Sequence, residues 1–176
     1  MTTSTHHRTR PEVGGLRMDL LGVYLNDHLA GATAGAGRAR FMARSHRDTP
    51  AAGPLGLLAD EIAEDRASLL GLMRRLGVPE RRYKTVAAGT AERLGRLKSN
   101  GRLLRPSPLT LVIELEFLRL GVKGKELGWR TLRSLAEADD RLDEQVLDQL
   151  IERAHRQTIT LEDLRVDAAR NALLTG

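Results

Sequence analysis

The sequence predicts an all-α protein, an up-down bundle of four long helices with one extra short helix in the crossover between the second and third. Over four long stretches, apolar residues recur at three- and four-residue spacing, the period of an amphipathic helix. No alternation typical of strands persists, and aromatic residues make up only 3% of the 176 residues. The core is therefore expected to consist of Leu, Ala, Val, Ile and Met, which suit helix packing.

Composition limits the class of protein further. A hydrophobic fraction of 41% argues against a wholly disordered chain. Without cysteine there are no disulfides, thiolate nucleophiles or thiolate metal sites. No apolar run approaches the roughly 20 residues of a membrane helix, so we expect a soluble, cytoplasmic protein with no membrane partner. Residues 1–14 are polar and basic and are predicted to form a disordered tail before a single helical domain over 15–176.

The first three long helices are predicted over residues 16–45, 54–76 and 107–136. The short basic helix is predicted over residues 80–99, between the second and third long helices. The first helix contains small residues that are predicted to let another helix approach closely: Gly31, Gly35 and Ala39. The second should end at Gly77, since glycine commonly follows a helix C-terminus.

The last two long helices carry further local signals. The third long helix should start at Ser107-Pro108, and apolar residues on nearly all its sides predict that it is the most buried. Three glycines in its second half are expected to allow a kink or close contact: Gly121, Gly124 and Gly128. The last helix is predicted to start after Asp139 or Asp140 and to reach Leu173, with a possible break at residues 158–160.

Charge is unevenly distributed along the chain, whose formal charge is +5. Residues 74–105 hold ten basic residues and two acids, whereas residues 137–167 hold ten acids and four arginines. Two interpretations follow. Solvated basic and acidic faces pair within one chain or across a dimer, or the basic segment binds a phosphate-rich partner.

Polar residues on predicted inner helix faces are the candidate site. The set is one histidine and three carboxylates on three helices: His28, Glu61, Asp65 and Glu116. Carboxylate oxygens with an imidazole suit Fe, Mn or Mg, so these residues are the candidate metal ligands. Because unpaired charges in a helical core are costly, the alternative is pairing with basic side chains from adjacent positions: Arg66, Arg119, Lys123 or Arg130. Under that alternative, His28 and Asp65 form a buried polar bridge that fixes helix register.

The last helix also contains Glu152-x-x-His155, a spacing that di-iron and di-manganese bundles use. Helical angles place Glu152 roughly opposite the apolar stripe and His155 on its flank. We therefore interpret this pair as a surface feature.

The pattern of long helices, a long second connection and inward polar residues resembles the ferritin-like four-helix bundles over about residues 16–173. That family's ligand set is Glu and then Glu-x-x-His, repeated once. This chain offers, in the same order, His28, Glu61-x-x-Glu64, Glu116 and Glu152-x-x-His155. Because two elements depart from the pattern and a third faces outward, the resemblance implies the fold and not an iron oxidase or iron-storage activity. Three short stretches are also similar to bacterial helical proteins of unknown activity: residues 24–31, 64–66 and 98–103.

Three functions remain open. The leading hypothesis is a non-catalytic bundle that works by association, as a homodimer or with a protein partner, and binds no cofactor. The second is an Fe- or Mn-dependent bundle oxidoreductase that uses the candidate metal ligands. The third is a nucleic-acid-associated protein, disfavoured by the acidic last helix and the few aromatics, that would use Arg81, Arg82, Lys84, Arg93, Arg96 and Lys98.

Overall fold

The computed structural model describes residues 15–81 and 107–174, and it is all-α. The long helices are α1 (Met18–Ser45), α2 (Ala52–Arg75), α3 (Leu109–Leu135) and α4 (Glu144–Leu173), with a 3₁₀ turn at Ala136–Ala138. The four predicted long helices are thus confirmed to within a few residues. Of the predicted short helix only Glu80 and Arg81 are described, and neither is helical. Its remainder and the predicted N-terminal tail lie outside the described residues.

Two helix pairs form the most extensive contacts, α1 with α2 and α3 with α4. Both pairs are antiparallel. Near the end of α3, Arg133 donates to Asp148 near the start of α4 at 3.0 Å. In the first half of α3, Arg119 pairs with Glu162 in the second half of α4 at 3.4 Å. The α1–α2 contacts are likewise reversed in order: Thr33 with Arg66, and Gly22 with Val78.

The two pairs join through α1 and α3, which also run antiparallel. The hydroxyl of Tyr24 donates to the Thr131 hydroxyl at 3.1 Å near one end. Arg38 forms an ion pair with Glu114 near the other. Since α1 is antiparallel to both α2 and α3, these two helices point the same way. The predicted up-down order is therefore wrong between the second and third long helices, and the end of α2 and the start of α3 lie at opposite ends of the bundle.

The end of α2 follows its sequence signal. Gly77 has φ of 71°, in the left-handed region that favours glycine. The Val78 amide donates to the Met73 carbonyl at 2.9 Å, and the Gly77 amide donates to the Arg74 carbonyl at 3.1 Å. This hydrogen-bond pair is the Schellman motif, which satisfies the last carbonyls of the helix. The prediction that α2 ends at Gly77 is confirmed.

The start of α4 differs from the prediction. Its N-cap is Asp143, whose carboxylate accepts from the Val146 amide at 3.0 Å. Asp139 instead accepts hydrogen bonds from Arg141, which lower the pKa of Asp139 to about 2. Arg141 also donates to the Leu76 carbonyl at 3.1 Å, so this turn is attached to the end of α2. The cap prediction failed because three nearby aspartates offer the same signal and only the path of the turn selects one.

The predicted break at residues 158–160 is wrong, because α4 is continuous across it. The hydroxyls of Thr158 and Thr160 donate hydrogen bonds to backbone carbonyls one turn earlier in α4, at 3.0 and 3.2 Å. Their polar groups are thus satisfied inside the helix, and Leu161 beside them is fully buried. Packing of α4 against the bundle outweighs the weak helix preference of β-branched residues.

The prediction that α3 is the most buried helix is wrong: eight of its 27 residues are buried, against eight of the 24 residues of α2. Its inner face carries the buried residues Val112, Leu115, Leu118, Val122, Glu126, Trp129 and Leu132. Its outer face exposes the large apolar residues Leu109, Phe117, Leu120 and Leu127. The apolar residues on several sides of α3 therefore overstated its burial.

Of the three small residues of α1 that were predicted to let a neighbouring helix approach, Ala39 is buried. Among the described residues, no atom lies within 4 Å of the position that a Cβ would take at Gly31 or Gly35. The close glycine contact of the bundle is instead at Gly128, where a Cβ would lie 2.8 Å from the His28 ring. The expected close contact is thus confirmed for the last of the three α3 glycines.

Candidate functional site, a buried ion cluster

Inside the bundle, five polar side chains from three helices form one group, which we call the Asp65 cluster. Asp65 and Glu61 lie one turn apart on α2, and Lys125 comes from α3. Arg153 and Gln157, also one turn apart, come from α4. The i, i+4 spacing places each pair on one helix face, so the antiparallel packing of α2 on α4 brings both pairs together.

Asp65 is the centre of this cluster, with 1% of its surface exposed. One carboxylate oxygen accepts from the Lys125 ammonium and, at 3.1 Å, from the Gln157 amide. The other oxygen forms an ion pair with Arg153. Gln157 is as deeply buried; its amide also donates to Glu61 at 2.9 Å, and its carbonyl accepts from Lys125 at 2.5 Å. Asp65 therefore has three partners from two other helices.

The charges of the cluster balance formally, with two carboxylates against one ammonium and one guanidinium. Burial lowers the pKa of Lys125, and the nearby charge and hydrogen bond of Asp65 act in the opposite direction. Removing water from a charge is costly, and a buried pair recovers that cost only with good geometry and further hydrogen bonds. Gln157 supplies those extra bonds to both partners. The arrangement thus fixes how three helices meet.

The four predicted metal ligands occupy different places. Asp65 and Glu61 share Gln157 as a hydrogen-bond partner within the cluster. His28 packs instead against Tyr24 and Gly128. Glu116 was predicted to face inward, but 51% of its side chain is exposed, and its charged partner is Arg165 at 3.9 Å. In the ranges 15–81 and 107–174, no three acidic or histidine residues form a group that could hold a metal ion.

A cation at Asp65 would have to compete with the positive charges already there. Lys125 and Arg153 take both carboxylate oxygens, so a divalent ion would meet strong repulsion unless one of them moved. The alternative of pairing with basic side chains therefore describes Asp65. The basic residues are not those expected from the sequence: Arg66 bonds Thr33, Arg119 pairs with Glu162, and Lys123 and Arg130 pair with Glu126.

Glu114 is the acidic residue of α3 that faces α1, although the sequence pattern pointed to Glu116. Only 11% of the Glu114 side chain is exposed; it pairs with Arg38, and the His46 ring nitrogen Nε2 lies 3.6 Å from its carboxylate. The inward direction was misassigned because apolar residues occur on both faces of α3. The true inner face became clear only from the neighbours.

His28 lies on the flank of the α1 stripe, as its helical angle predicted, and is half-buried. Its ring stacks at a tilt on Tyr24, with ring centroids 4.5 Å apart, and lies over the bare Cα of Gly128. Burial lowers the pKa of His28, and Asp27 acts in the opposite direction. His28 and Lys125 line a cavity of about 20 Å³ beside Trp129, which has room for about one water molecule.

A second buried acid, Glu126, is held within α3 itself. Its side chain is 1% exposed and accepts hydrogen bonds from Lys123 and Arg130, each at 2.8 Å. Burial opposes its ionisation, but the hydrogen bonds and charges of Lys123 and Arg130 outweigh this effect and lower its pKa. Both basic partners are more than half exposed. Glu126 is therefore a buried acceptor for two surface cations.

The lowered pKa of Glu126 predicts how the free energy of unfolding depends on pH. A carboxyl whose folded-state pKa is below its unfolded value of 4.5 stabilises the fold above pH 4.5, and this contribution is lost as pH falls through the folded pKa. Glu126→Gln should cost about 1.5 kcal/mol at neutral pH because charge-assisted hydrogen bonds are lost. The difference between variant and parent should shrink below pH 4.5. Urea unfolding at several pH values measures it, and a pH-independent difference would contradict the assignment.

Asn26 fixes the chain where it leaves α2. It is buried on α1, and its amide donates to the Pro79 carbonyl at 3.1 Å and to the Gly22 carbonyl at 2.8 Å. Its side-chain oxygen accepts from the Arg81 amide at 2.7 Å. One side chain thus pairs with two backbone groups of the segment after α2. No hydrophobic period in the sequence marks this role.

Comparison with known proteins gives no relative, because no family model, no curated protein and no solved structure matches the chain. In the parts of the chain that the structure describes, no helix is both long and apolar enough to cross a membrane. What is shown, over residues 15–81 and 107–174, is an all-α arrangement of four long helices with an internally paired polar cluster.

Proposed function

We propose that this chain is a non-catalytic, ferritin-like bundle that acts through association with a second copy of itself. The observation that supports the proposal is a contrast between the interior and the surface of the protein. The most buried acids have basic or amide partners from the chain itself, whereas side chains as large as Leu and Phe lie exposed on α3.

The directions of the helices support the ferritin-like part of the proposal. In an up-down bundle with only short connections, consecutive helices alternate in direction, but α2 and α3 run the same way. A bundle with two antiparallel pairs and one long crossover is the ferritin-like arrangement. Between Arg75 and Leu109 the chain has enough residues for such a crossover.

The interior supports a structural role better than a catalytic one. A metal-dependent bundle needs carboxylates and histidines that converge with open positions for a substrate. Here Lys125 and Arg153 occupy Asp65, while Glu116 lies outside. A pocket of about 260 Å³ between the start of α1 and the end of α3 has an almost wholly apolar lining. That lining offers a packing surface and few groups for acid–base chemistry.

The test is the mass of the untagged protein in solution. We expect a dimer of the 19.4 kDa chain by light scattering and sedimentation at micromolar concentration. The dimer should persist in 0.5 M salt if apolar contact dominates, since salt screens only the charge contribution. A monomer at all concentrations and salt levels would contradict self-association.

A second measurement addresses the catalytic alternative. Protein with His6 and His7 replaced by serine would be loaded with Fe(II) or Mn(II), exchanged into metal-free buffer and analysed for metal. We expect far less than one metal per chain. Stoichiometric metal that is lost in Asp65→Asn would contradict the non-catalytic proposal and favour an oxidoreductase.

A further inference from the structure

The outer face of α3 carries a continuous apolar stripe that no described helix covers. We call it the α3 stripe, and it consists of Leu109, Ile113, Phe117, Leu120, Gly124 and Leu127. From residue 113 onward the spacing alternates between four and three residues, as in a helix that packs along another helix. Leu120 is 67% exposed, Leu127 55% and Phe117 46%. Three large exposed apolar residues in one line indicate an association surface, whereas single exposed apolar residues scattered over a surface do not.

The stripe is self-complementary about its middle. Leu120 and Gly124 lie two residues on either side of Val122, and Phe117 and Leu127 lie five residues on either side. A two-fold axis through this level places Leu120 opposite the partner's Gly124 and Phe117 opposite the partner's Leu127. Such a contact uses the same patch on both copies and closes on itself. At Gly124, no described atom lies within 4 Å of where a Cβ would be, so the large Leu120 side chain meets an open position.

The charges beside the stripe agree with the same orientation. Glu116 lies six residues before Val122, and Arg130 lies eight residues after it, both on one flank of the stripe. An antiparallel partner brings the Glu116 side chain near the partner's Arg130, twice in the dimer. Within the chain Glu116 pairs with Arg165 and Arg130 with Glu126, but both Glu116 and Arg130 are about half exposed, at 51% and 56%, which leaves room for a second partner. In a parallel two-fold dimer, the same flank of the two α3 helices lies on opposite sides of the contact, so Glu116 would not meet the partner's Arg130.

We infer that a second copy of this chain docks on the α3 stripe, with the two α3 helices antiparallel about Val122. The inference rests on the proposed self-association and specifies its surface and orientation. Leu120 packs over the partner's Gly124 at the centre, Phe117 contacts the partner's Leu127 on both sides, and the Glu116–Arg130 pairs form the rim.

Cysteine cross-linking tests the orientation, and the chain has no cysteine of its own. Phe117→Cys and Leu127→Cys would be prepared separately, one with a mass tag, mixed, and oxidised under mild conditions. We expect a covalent heterodimer in the mixture and little cross-linking of either variant alone. In the antiparallel dimer, identical positions are about ten residues or ~15 Å apart along the axis, too far for a disulfide. Leu57→Cys, at a 70% exposed position of α2, is the matched control and should not cross-link.

The outcomes separate the inference from the proposed function. Efficient cross-linking of either variant alone would overturn the antiparallel orientation. A dimer by light scattering with no heterodimer cross-link would overturn the α3 contact but leave self-association standing. A parent protein that is monomeric at all concentrations and salt levels would contradict both the α3 contact and the proposed self-association.

Charge insertion tests the location independently. Leu120→Lys should weaken the dimer about 100-fold or more, because one buried leucine is lost from each copy. Leu57→Lys should leave the dimer unchanged. Both positions are mostly exposed in one chain, so both variants should keep the helical circular-dichroism signal. If the parent is a monomer and only Leu120→Lys lowers its unfolding free energy, the stripe is covered within the chain by residues 82–106, and the inference is wrong.

Discussion

Replacing Asp65 with alanine should lower the free energy of unfolding by about 3 kcal/mol. The variant leaves the Lys125 ammonium and the Arg153 guanidinium in the bundle interior without their shared counter-charge. Removing one partner of a buried ion pair costs about 3–5 kcal/mol, because the remaining charge stays desolvated. Lys125 and Arg153 retain a small exposed fraction, which places the expected loss at the lower end. Urea or thermal unfolding followed by circular dichroism measures it.

Asp60→Ala is the matched control for Asp65→Ala. Asp60 lies on the same helix and is exposed, so its removal should change stability by less than about 0.5 kcal/mol. Equal losses in the two variants would show that the Asp65 cluster is not a special contributor. The comparison also cancels the general effect of replacing aspartate by alanine within α2.

A double-mutant cycle isolates the Asp65–Lys125 pair. Lys125→Met should be costly in the parent, where it leaves Asp65 with Arg153 and Gln157 alone. In the Asp65→Ala background the same change should cost much less, because an unpaired buried charge is then removed. A coupling energy near zero would mean that the two side chains do not interact in solution.

Gly128→Ala should destabilise the protein by about 1 kcal/mol, although alanine is the better helix former. The new Cβ would lie 2.8 Å from Cε1 and 2.9 Å from Nδ1 of His28, closer than such atoms approach in folded proteins. The ring cannot move freely, because it stacks on Tyr24. Overpacking of this kind costs about 1–3 kcal/mol, which outweighs the gain of about 1 kcal/mol from replacing a helical glycine.

Two further variants give Gly128→Ala a sharp control. Gly121 lies on the same helix with nothing described within 4 Å of an added Cβ, so Gly121→Ala should stabilise the fold by up to about 1 kcal/mol. Gly128→Ala should recover most of its loss when His28 is also replaced by alanine. If Gly128→Ala stabilises the parent as Gly121→Ala does, the close packing of α1 on α3 at His28 is wrong.

The sequence by itself determined the helices and most of their ends. Apolar spacing was sufficient because each long helix buries one stripe, and that stripe has the helical period whatever it packs against. The end of α2 was predictable from Gly77 because only glycine readily takes the positive φ of that turn. Asp65 was predictable as a buried acid since it interrupts the apolar stripe of α2.

The tertiary structure decided which side chains meet Asp65. The spacing along α4 places Gln157 between the buried Ala154 and Leu161, a signal that could have identified it. No such signal marks Lys125 or Arg153, because a long basic side chain reaches inward from a flanking position by an amount that only packing sets. The choice of Glu114 over Glu116 as the acid facing α1 was likewise set by the neighbouring helix.

The sequence thus determined what is local, namely the period of each stripe, the end of α2 and the buried position of Asp65. The tertiary structure decided what depends on neighbouring helices. This includes the partners of Asp65, the packing of the His28 ring on Gly128, and the apolar face of α3 that is exposed. The physical reason is that helical angles fix the direction of a side chain only relative to its own helix. Its partner depends on the axial register and rotation of a second helix, which the packing of the whole bundle sets.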